Sequence, residues 1–297
     1  MASSNRDRVS VLITGCSPGG MGAALAIAFH EAGHQVFATA RNPTKLQALA
    51  ERGIATVTLD ITSTESIAAA VASVTSSLKG GKGLDILVNN AAGSYAMPVV
   101  DISLDKAKQL FETNVWSHVA VTQAFLPLLL KSERPVIVNH TSVGSMAAVP
   151  WQGVYNASKA ALAMLTDTMR MELSGFGIRV VDLKTGGVKT NIIDNNNFHI
   201  EGDKLPEGSI FAPAREAVQK AIGQEDAHAW QGMTAEQWAD EVVGLLLKRN
   251  PPAVVWKGSG AFMSRIALLF PGWVMEGVAR KITNMNAIEE VIRASRK

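Results

Sequence analysis

Tyr155 and Lys159 stand four residues apart in YNASKAALAML, a stretch whose apolar residues recur at helical intervals. That spacing places both side chains on one face of a helix, a turn apart. A phenol with a pKa of about 10 passes protons poorly at neutral pH, and a nearby ammonium favours the phenolate and lowers that value. The pair therefore predicts a proton-transfer device. Ser142 follows the apolar run PVIVNHT, where its hydroxyl can hydrogen-bond a substrate carbonyl and the Tyr155 oxygen. Thr141 and Ser145 compete for that role, and serines in loops commonly cap turns. Asn114 falls inside the helical LFETNVWSH, an unfavourable place by propensity, which points either to a task for its amide or to a satisfied buried amide.

Such residues need a scaffold that gathers the ends of several segments. The runs VSVLIT, HQVFATA, ATVTLD, LDILVNN, PVIVNHTS and IRVVDLK, with a seventh at AVVWK, are short, rich in Val, Ile and Leu, and apolar on both sides. They suit strands of a parallel sheet covered on each face. Between them, segments 21–32, 64–79, 104–131 and 153–175 carry helical periodicity. Strand and helix in alternation predict a doubly wound α/β fold with about seven parallel strands, which binds ligand at the carboxyl ends of its strands. One domain over residues 1–297 is expected. TAEQWADEVVGLLLKR reads as a further helix with Thr234 as N-cap and Gln237 closing a capping box.

The 297 residues are 47% hydrophobic with a net charge of +2 and dispersed basic residues, so no electrostatic footprint for nucleic acid is present. One cysteine, Cys16, excludes an internal disulfide, no Cys/His cluster has metal-ligand spacing, and the six histidines are scattered and read as structural or exposed. The N-terminal MASSNRDRVS has the character neither of a signal peptide nor of a spanning helix, so a cytoplasmic location is expected. In VLITGCSPGGMGAALA a buried strand breaks into Gly15, Gly19, Gly20 and Gly22 before a helix resumes. The helix amides at such a turn can face an anion, although G-x-G-x-x-G cannot be laid onto these glycines and a plain strand-to-helix loop is the alternative.

Together these pieces closely resemble the short-chain dehydrogenase/reductase family. Its looser turn, T-G-x-x-x-G-x-G, matches Thr14-Gly15 and Gly20-Met21-Gly22 with one extra residue in the loop. Asp60, Asn89-Asn90-Ala91, Asn114, Ser142, Tyr155, Lys159 and then Gly186-Gly187-Val188-Lys189-Thr190 follow in the family's order. The resemblance implies a Rossmann domain. It also implies that Tyr155 is the general acid of carbonyl reduction, or the base in reverse, while Lys159 depresses its pKa and bonds the nicotinamide ribose. Ser142 would polarise the carbonyl, and Asn114 would hold a water linking Lys159 to solvent. For the cofactor it implies contacts from Gly15, Ser17, Gly20, Met21 and Gly22 at the turn, and from Arg41, Asp60 and Ile61 after the second and third strands. Asn90, Ala91, Tyr155, Lys159, Gly186, Val188 and Thr190 complete that set. Besides the longer turn, Ala92 replaces a usual glycine and Thr185 a usual proline.

An acidic residue at the end of the second strand would bind the ribose of NAD. VFATARNP instead has Ala40 and Arg41, whose guanidinium can meet a 2′-phosphate with two parallel bonds, so NADP is the expected cofactor. Residues of about 191–230, rich in Asn, Gly and Pro, are expected to form a helical substrate lid. Tyr95, Met97, Trp151, Phe198, Ile210 and Phe211 are candidate walls of an apolar pocket, with Lys189 near its mouth.

The apolar segment of about 261–282, broken at Pro271 and Gly272, is too short to span a bilayer. It is expected either to pack over the lid or a neighbouring subunit, or to lie in a membrane interface with Arg265, Arg280 and Lys281 near headgroups. This tail, with TGGVKTNI, resembles the fungal branch typified by NADPH-dependent 1-acyldihydroxyacetone-phosphate reductase, which implies a lipophilic ketone substrate and association with endoplasmic reticulum or lipid droplet surfaces. A ketoreductase of fungal secondary metabolism, acting on a polyketide, terpenoid or steroid-like ketone, is the alternative within the class. From other classes come a non-catalytic NADP-binding protein and a membrane-surface scaffold. The family resemblance also implies a homodimer or homotetramer through segments 104–131 and 153–175.

Overall fold

The computed structural model describes residues 8–190, 204–223 and 232–296. Strands β1 (Ser10–Ile13), β2 (Gln35–Ala40), β3 (Ala55–Thr58), β4 (Ile86–Asn89), β5 (Val136–His140) and β6 (Arg179–Thr185) alternate with helices. The intervening helices are α1 (Met21–Glu31), α2 (Gln47–Glu51), α3 (Thr64–Ser77), α4 (Leu104–Phe111), α5 (Ser117–Leu129) and α6 (Gly153–Leu173). Two short strands, β7 (Val188–Lys189) and β8 (Met233–Thr234), pair with each other and flank α7 (Arg215–Ile222). Helix α8 (Ala235–Leu246), strand β9 (Val254–Lys257) and helices α9 (Ala261–Ala267), α10 (Gly272–Ile282) and α11 (Met285–Ser295) complete the order.

Seven strands form one parallel sheet in the order β3-β2-β1-β4-β5-β6-β9, as the alternating pattern predicts. The sheet is apolar on both faces because helices cover both. Val11, Ile13, Val136, Val138, Val181 and Leu183 pack with α1 and α8 on one side. Leu12, Phe37, Leu87, Ile137 and Val180 pack with α3 and α5 on the other. Strand order reverses beside β1, where β4 follows on the far side from β2, and this opens a crevice at the strands' carboxyl ends.

Segment 104–131 is not one regular helix. A π turn over Glu112–Trp116 separates α4 from α5 and inserts a bulge at Asn114. The capping box of α8 is present: Thr234 Oγ1 accepts from the Gln237 amide at 3.3 Å, and the Gln237 side chain accepts from the Thr234 amide at 3.2 Å.

A third apolar cluster closes one end of the crevice. Tyr95, Met97, Leu110 and Trp151 meet Val218 and Ile222 of α7 and Ile288 of α11. Residues 204–223 of the expected lid thus pack into the body through a short 3-10 turn (Ala212–Ala214) and α7. The helix α11 has no counterpart among the sequence expectations, and it is this helix, more than the apolar segment before it, that covers the lid. Helices α9 and α10 anchor mainly through Ala261 and Ala279 and leave their large apolar side chains outside. No helix among the described residues is long and apolar enough to cross a membrane.

Candidate active site

The turn after β1 admits only glycine at two places. Gly15 has φ +75°, and a Cβ there would stand 2.8 Å from the Ala91 Cα. A Cβ on Gly22 would come within 2.5 Å of both Asn90 Nδ2 and the Gly15 carbonyl. The backbone is drawn in by hydrogen bonds to the loop after β4: Thr14 Oγ1 accepts from the Asn90 and Ala91 amides at 2.9 and 3.0 Å, and Asn90 Nδ2 donates to the Thr14 and Gly15 carbonyls at 2.8 and 3.2 Å. No side chain caps the N-terminus of α1, so its first amides are left for an anion at the crevice. Cys16 is buried in the same turn, its thiol pushed up to about 12 by burial, and it has no nucleophilic character there.

Ser142, Tyr155 and Lys159 line the same cleft, which has a volume of about 880 Å³. The competition around Ser142 is resolved by direction. Ser142 hydrogen-bonds the Tyr155 side chain and also caps its own turn by accepting from the Gly144 amide at 3.0 Å. Thr141 instead donates to Asp182, and Ser145 accepts from Lys184 Nζ at 3.1 Å. Lys159 is buried one helical turn from Tyr155, its Nζ 6.0 Å from the ring centroid and 2.8 Å from the His140 carbonyl to which it donates.

The expected direction of the Tyr155 shift is corrected. Burial raises its pKa, the Ser142 hydrogen bond opposes that only in part, and Lys159 does not reverse it. The physical reason is desolvation, which penalises a phenolate and an ammonium alike. Lys159 itself is lowered to about 8 by burial, against the attraction of Asp182. The free protein therefore holds a neutral phenol beside an ammonium that titrates close to physiological pH.

Asn114 takes the second of its two readings, a satisfied buried amide. Its Oδ1 accepts from the Gly93 amide at 2.8 Å, and its Nδ2 donates to the Gly93 carbonyl at 3.0 Å and to Ser158 Oγ at 3.0 Å. Both ends of the amide are thus occupied, and the side chain fixes the loop after β4 rather than reaching into the cleft. His118 Nε2 donates to the Ala91 carbonyl at 2.8 Å and steadies that loop from α5. Burial lowers its pKa to about 3 and keeps it neutral.

His140, read from the sequence only as structural or exposed, is structural and lies at the centre. Asn90 Nδ2 is committed to donation, so Asn90 Oδ1 accepts, which places the proton of His140 on Nδ1 at 2.9 Å. Nε2 then accepts from Thr185 Oγ1 at 2.7 Å, and the ring stacks on Trp238 with centroids 5.2 Å apart. Thr185, in the place of a usual proline, has a partner that proline could not provide. The signal available in the sequence was a histidine at the carboxyl end of a central strand.

The residues expected to hold a dinucleotide fall along the cleft. Gly15, Ser17, Gly20 and Met21 lie at the turn, and exposed Arg41 follows buried Ala40 at the end of β2, unpaired with any acidic side chain among the described residues. Asp60 and Ile61 follow β3, where Asp60 Oδ1 accepts from Thr62 at 2.9 and 2.7 Å. Asn90 and Ala91 border the middle, and Gly186, Val188 and Thr190 line the far side. A Cβ on Gly186 would stand 2.2 Å from the Ser259 carbonyl. Gly22 sits behind the turn and acts through its closeness to Gly15 and Asn90. A glycine cradle, an uncapped helix end and a cationic side chain at the end of β2 fit a phosphorylated dinucleotide.

The substrate end is built differently from what the sequence suggests. Of the candidate walls among the described residues, only Trp151 lines the cleft. Tyr95 and Met97 are buried behind it, Phe211 packs edge-on to Trp151 with centroids 5.3 Å apart, and Ile210 is 63% exposed. Phe198 lies outside the described residues, and Lys189 is exposed on β7 away from the lining. The wall also includes Val149 and Pro150, Ala221 of α7 and Ile282 at the end of α10, with Gln109 and Thr113 adding polar groups. Trp151 adopts φ +70°, a costly conformation for a bulky residue, and its carbonyl accepts from the Met97 amide at 2.6 Å.

Residues 9–200 match the family model described as short chain dehydrogenase. Over 286 residues the chain is 48% identical to short-chain dehydrogenase/reductase GME11361 of Pestalotiopsis microspora, covering 96% of this chain and 98% of that protein. It is 32% identical over 285 residues to the NADPH-dependent 1-acyldihydroxyacetone phosphate reductase of Schizosaccharomyces pombe, covering 93% and 94% of the two chains. Among solved structures, a short-chain dehydrogenase from Streptomyces avermitilis matches the fold with a TM-score of 0.74 at 24% identity, over 98% of this chain and 99% of that one.

Proposed function

This chain belongs to the short chain dehydrogenase family of oxidoreductases, and from that premise we propose that it uses NADPH to reduce the ketone of a lipophilic substrate to a secondary alcohol. The observation that carries this reading is the convergence of Ser142, Tyr155 and Lys159 on the cleft that also holds the glycine turn and Arg41. When bound, the reduced nicotinamide cofactor supplies the hydride. Tyr155 gives its phenolic proton to the substrate oxygen, and the raised pKa keeps that proton in place at neutral pH, which suits the reducing direction. Ser142 donates a hydrogen bond to the same oxygen. Lys159 spends one of its three donors on the His140 carbonyl and has the others for a ribose hydroxyl. Arg41, with no acidic residue at the end of β2, supports NADPH over NADH, and the Schizosaccharomyces pombe relative bears the same preference in its name.

The Val149, Pro150, Trp151 and Ile282 wall supports an apolar substrate, with 1-acyldihydroxyacetone phosphate the first to try and polyketide, terpenoid or steroid-like ketones next. Close to Ile282, the α9–α10 region exposes Phe262 (68%), Leu269 (84%) and Trp273 (74%), beside Arg265 and Lys281. These exposed apolar side chains with basic neighbours, on helices whose end at Ile282 lines the cleft, support contact with a lipid surface from which such a substrate is drawn. Exposed Trp116, Met164 and Met171 on the face of the π turn and α6 support a homodimer, which a gel-filtration mass of two chains would show.

The experiment is a ketone panel with NADPH or NADH, following cofactor oxidation by purified protein. NADPH-dependent reduction of lipophilic members is expected. NADPH binding without turnover on any member would favour a non-catalytic binding protein instead. Flotation with anionic vesicles, abolished by Leu269→Ser with Trp273→Ser, tests the lipid contact separately.

A further inference from the structure

Strand β6 lies between β5 and β9, buried on both faces, yet it carries Asp182 and Lys184. Each buried charge costs several kcal/mol unless it is paired, and an apolar pair of similar volume is often at least as stable. The two side chains share one face of the strand, with Lys184 Nζ 2.6 Å from Asp182 Oδ2. Their remaining bonds go to the turn that holds the catalytic serine. Thr141, just before Ser142, donates to Asp182 Oδ1, and Ser145, three residues after it, accepts from Lys184 Nζ at 3.1 Å. Ser142 is therefore held between two tethers to one ion pair. Lys184 Nζ also lies 5.8 Å from the Trp256 ring centroid on β9, which closes the pair from the far side.

We propose that the buried Asp182–Lys184 pair is a positioning device for the reaction: it clamps the Ser142 turn at both ends and sets the field in which the Lys159 ammonium sits. Lys159 faces His140 on β5, His118 on α5, Tyr155 on its own helix and Asp182 on β6, and Lys184 reaches it only through its pairing with Asp182. Both histidines are held neutral by burial, so Asp182 is the negative charge acting on the ammonium and Lys184 is the counterweight to it. The inference rests on the reductase reading proposed above.

Three variants separate the clamp from the field. Thr141→Val keeps the shape and removes one tether, so kcat should fall on the order of tenfold through a misplaced serine, with the alkaline limb of the pH profile unmoved. Asp182→Asn keeps an acceptor for Thr141 but removes the charge, and should move that limb to lower pH by roughly one unit. Lys184→Met frees the carboxylate from its partner and should move the limb to higher pH. The same two displacements should appear in the pH dependence of NADPH affinity followed by protein fluorescence, a readout that needs no turnover. Limbs that coincide with wild type in both charge variants, or full kcat in Thr141→Val, overturn the inference. A purely structural pair would lower the melting temperature without opposite displacements. If Asp182→Asn does not fold, Lys184→Gln takes its place, with the upward displacement required. Wild type that neither binds NADPH nor reduces any ketone would defeat the reductase reading instead.

Discussion

The two ends of the cleft are made by different means. At the nucleotide end, backbone approach and polar networks dominate: Gly15 and Gly22 leave no room for a side chain, and Thr14, Asn90, His140 and Thr185 form a continuous chain of hydrogen bonds between β1, β4, β5 and β6. At the substrate end, side-chain contacts dominate: Trp151, Val218 with Ile222, and Ile288 come from three segments distant in sequence and meet in one apolar cluster. A hydrogen-bonded cradle fixes one ligand geometry, whereas an apolar wall can be reshaped by changing a few side chains. The first end suits a shared cofactor and the second a substrate that differs from protein to protein.

Mutations at the junction and at either end should respond accordingly. Tyr155→Phe, where the two ends meet, should lower kcat by on the order of 10³-fold while leaving the NADPH dissociation constant nearly unchanged, measured by turnover and fluorescence titration in parallel. Arg41→Asp should erase the preference for NADPH over NADH by on the order of 100-fold, because two charge-assisted bonds are replaced by repulsion. The kcat/KM values for the two cofactors check this, and an unchanged ratio would remove the nucleotide end from the comparison. The pH profile of wild type sharpens the junction. Activity needs the Lys159 ammonium, whose pKa is lowered to about 8, so kcat/KM should be level below that pH and fall about tenfold per unit above it. Trp151→Ala should have the smallest effect, a change of about tenfold in discrimination between bulky and small ketones with NADPH affinity preserved. Loss of NADPH binding in that variant would mean that the two ends are not separable.

The difference between the ends also explains what the sequence disclosed. Strands were legible because a buried parallel sheet writes continuous apolar runs, and the cofactor end was legible because glycines and polar residues directly follow those runs. Lys159 beside Tyr155 was legible as a helical spacing, whereas the sign of the Tyr155 shift was not, since it depends on desolvation that only packing creates. His140, Asp182 and Lys184 were hidden for a related reason. They lie within strand patterns, and the groups they hold, Asn90, Thr141 and Ser145, belong to the loops after neighbouring strands. The substrate wall was largely misplaced: apolar character singled out Tyr95, Met97 and Phe211, yet only the three-dimensional arrangement put them behind Trp151 rather than beside it. Helix α11 went unread although its Met285, Ile288 and Ile292 recur at three and four, and that spacing was the available signal.

The most direct test is a crystal structure of the chain soaked with NADP. The expected result places the 2′-phosphate against Arg41, the pyrophosphate on the amides between Gly15 and Gly22, and the nicotinamide beside Tyr155 and Gly186. A nucleotide bound elsewhere, or a nicotinamide out of reach of Tyr155, would contradict the assignment of one continuous catalytic cleft.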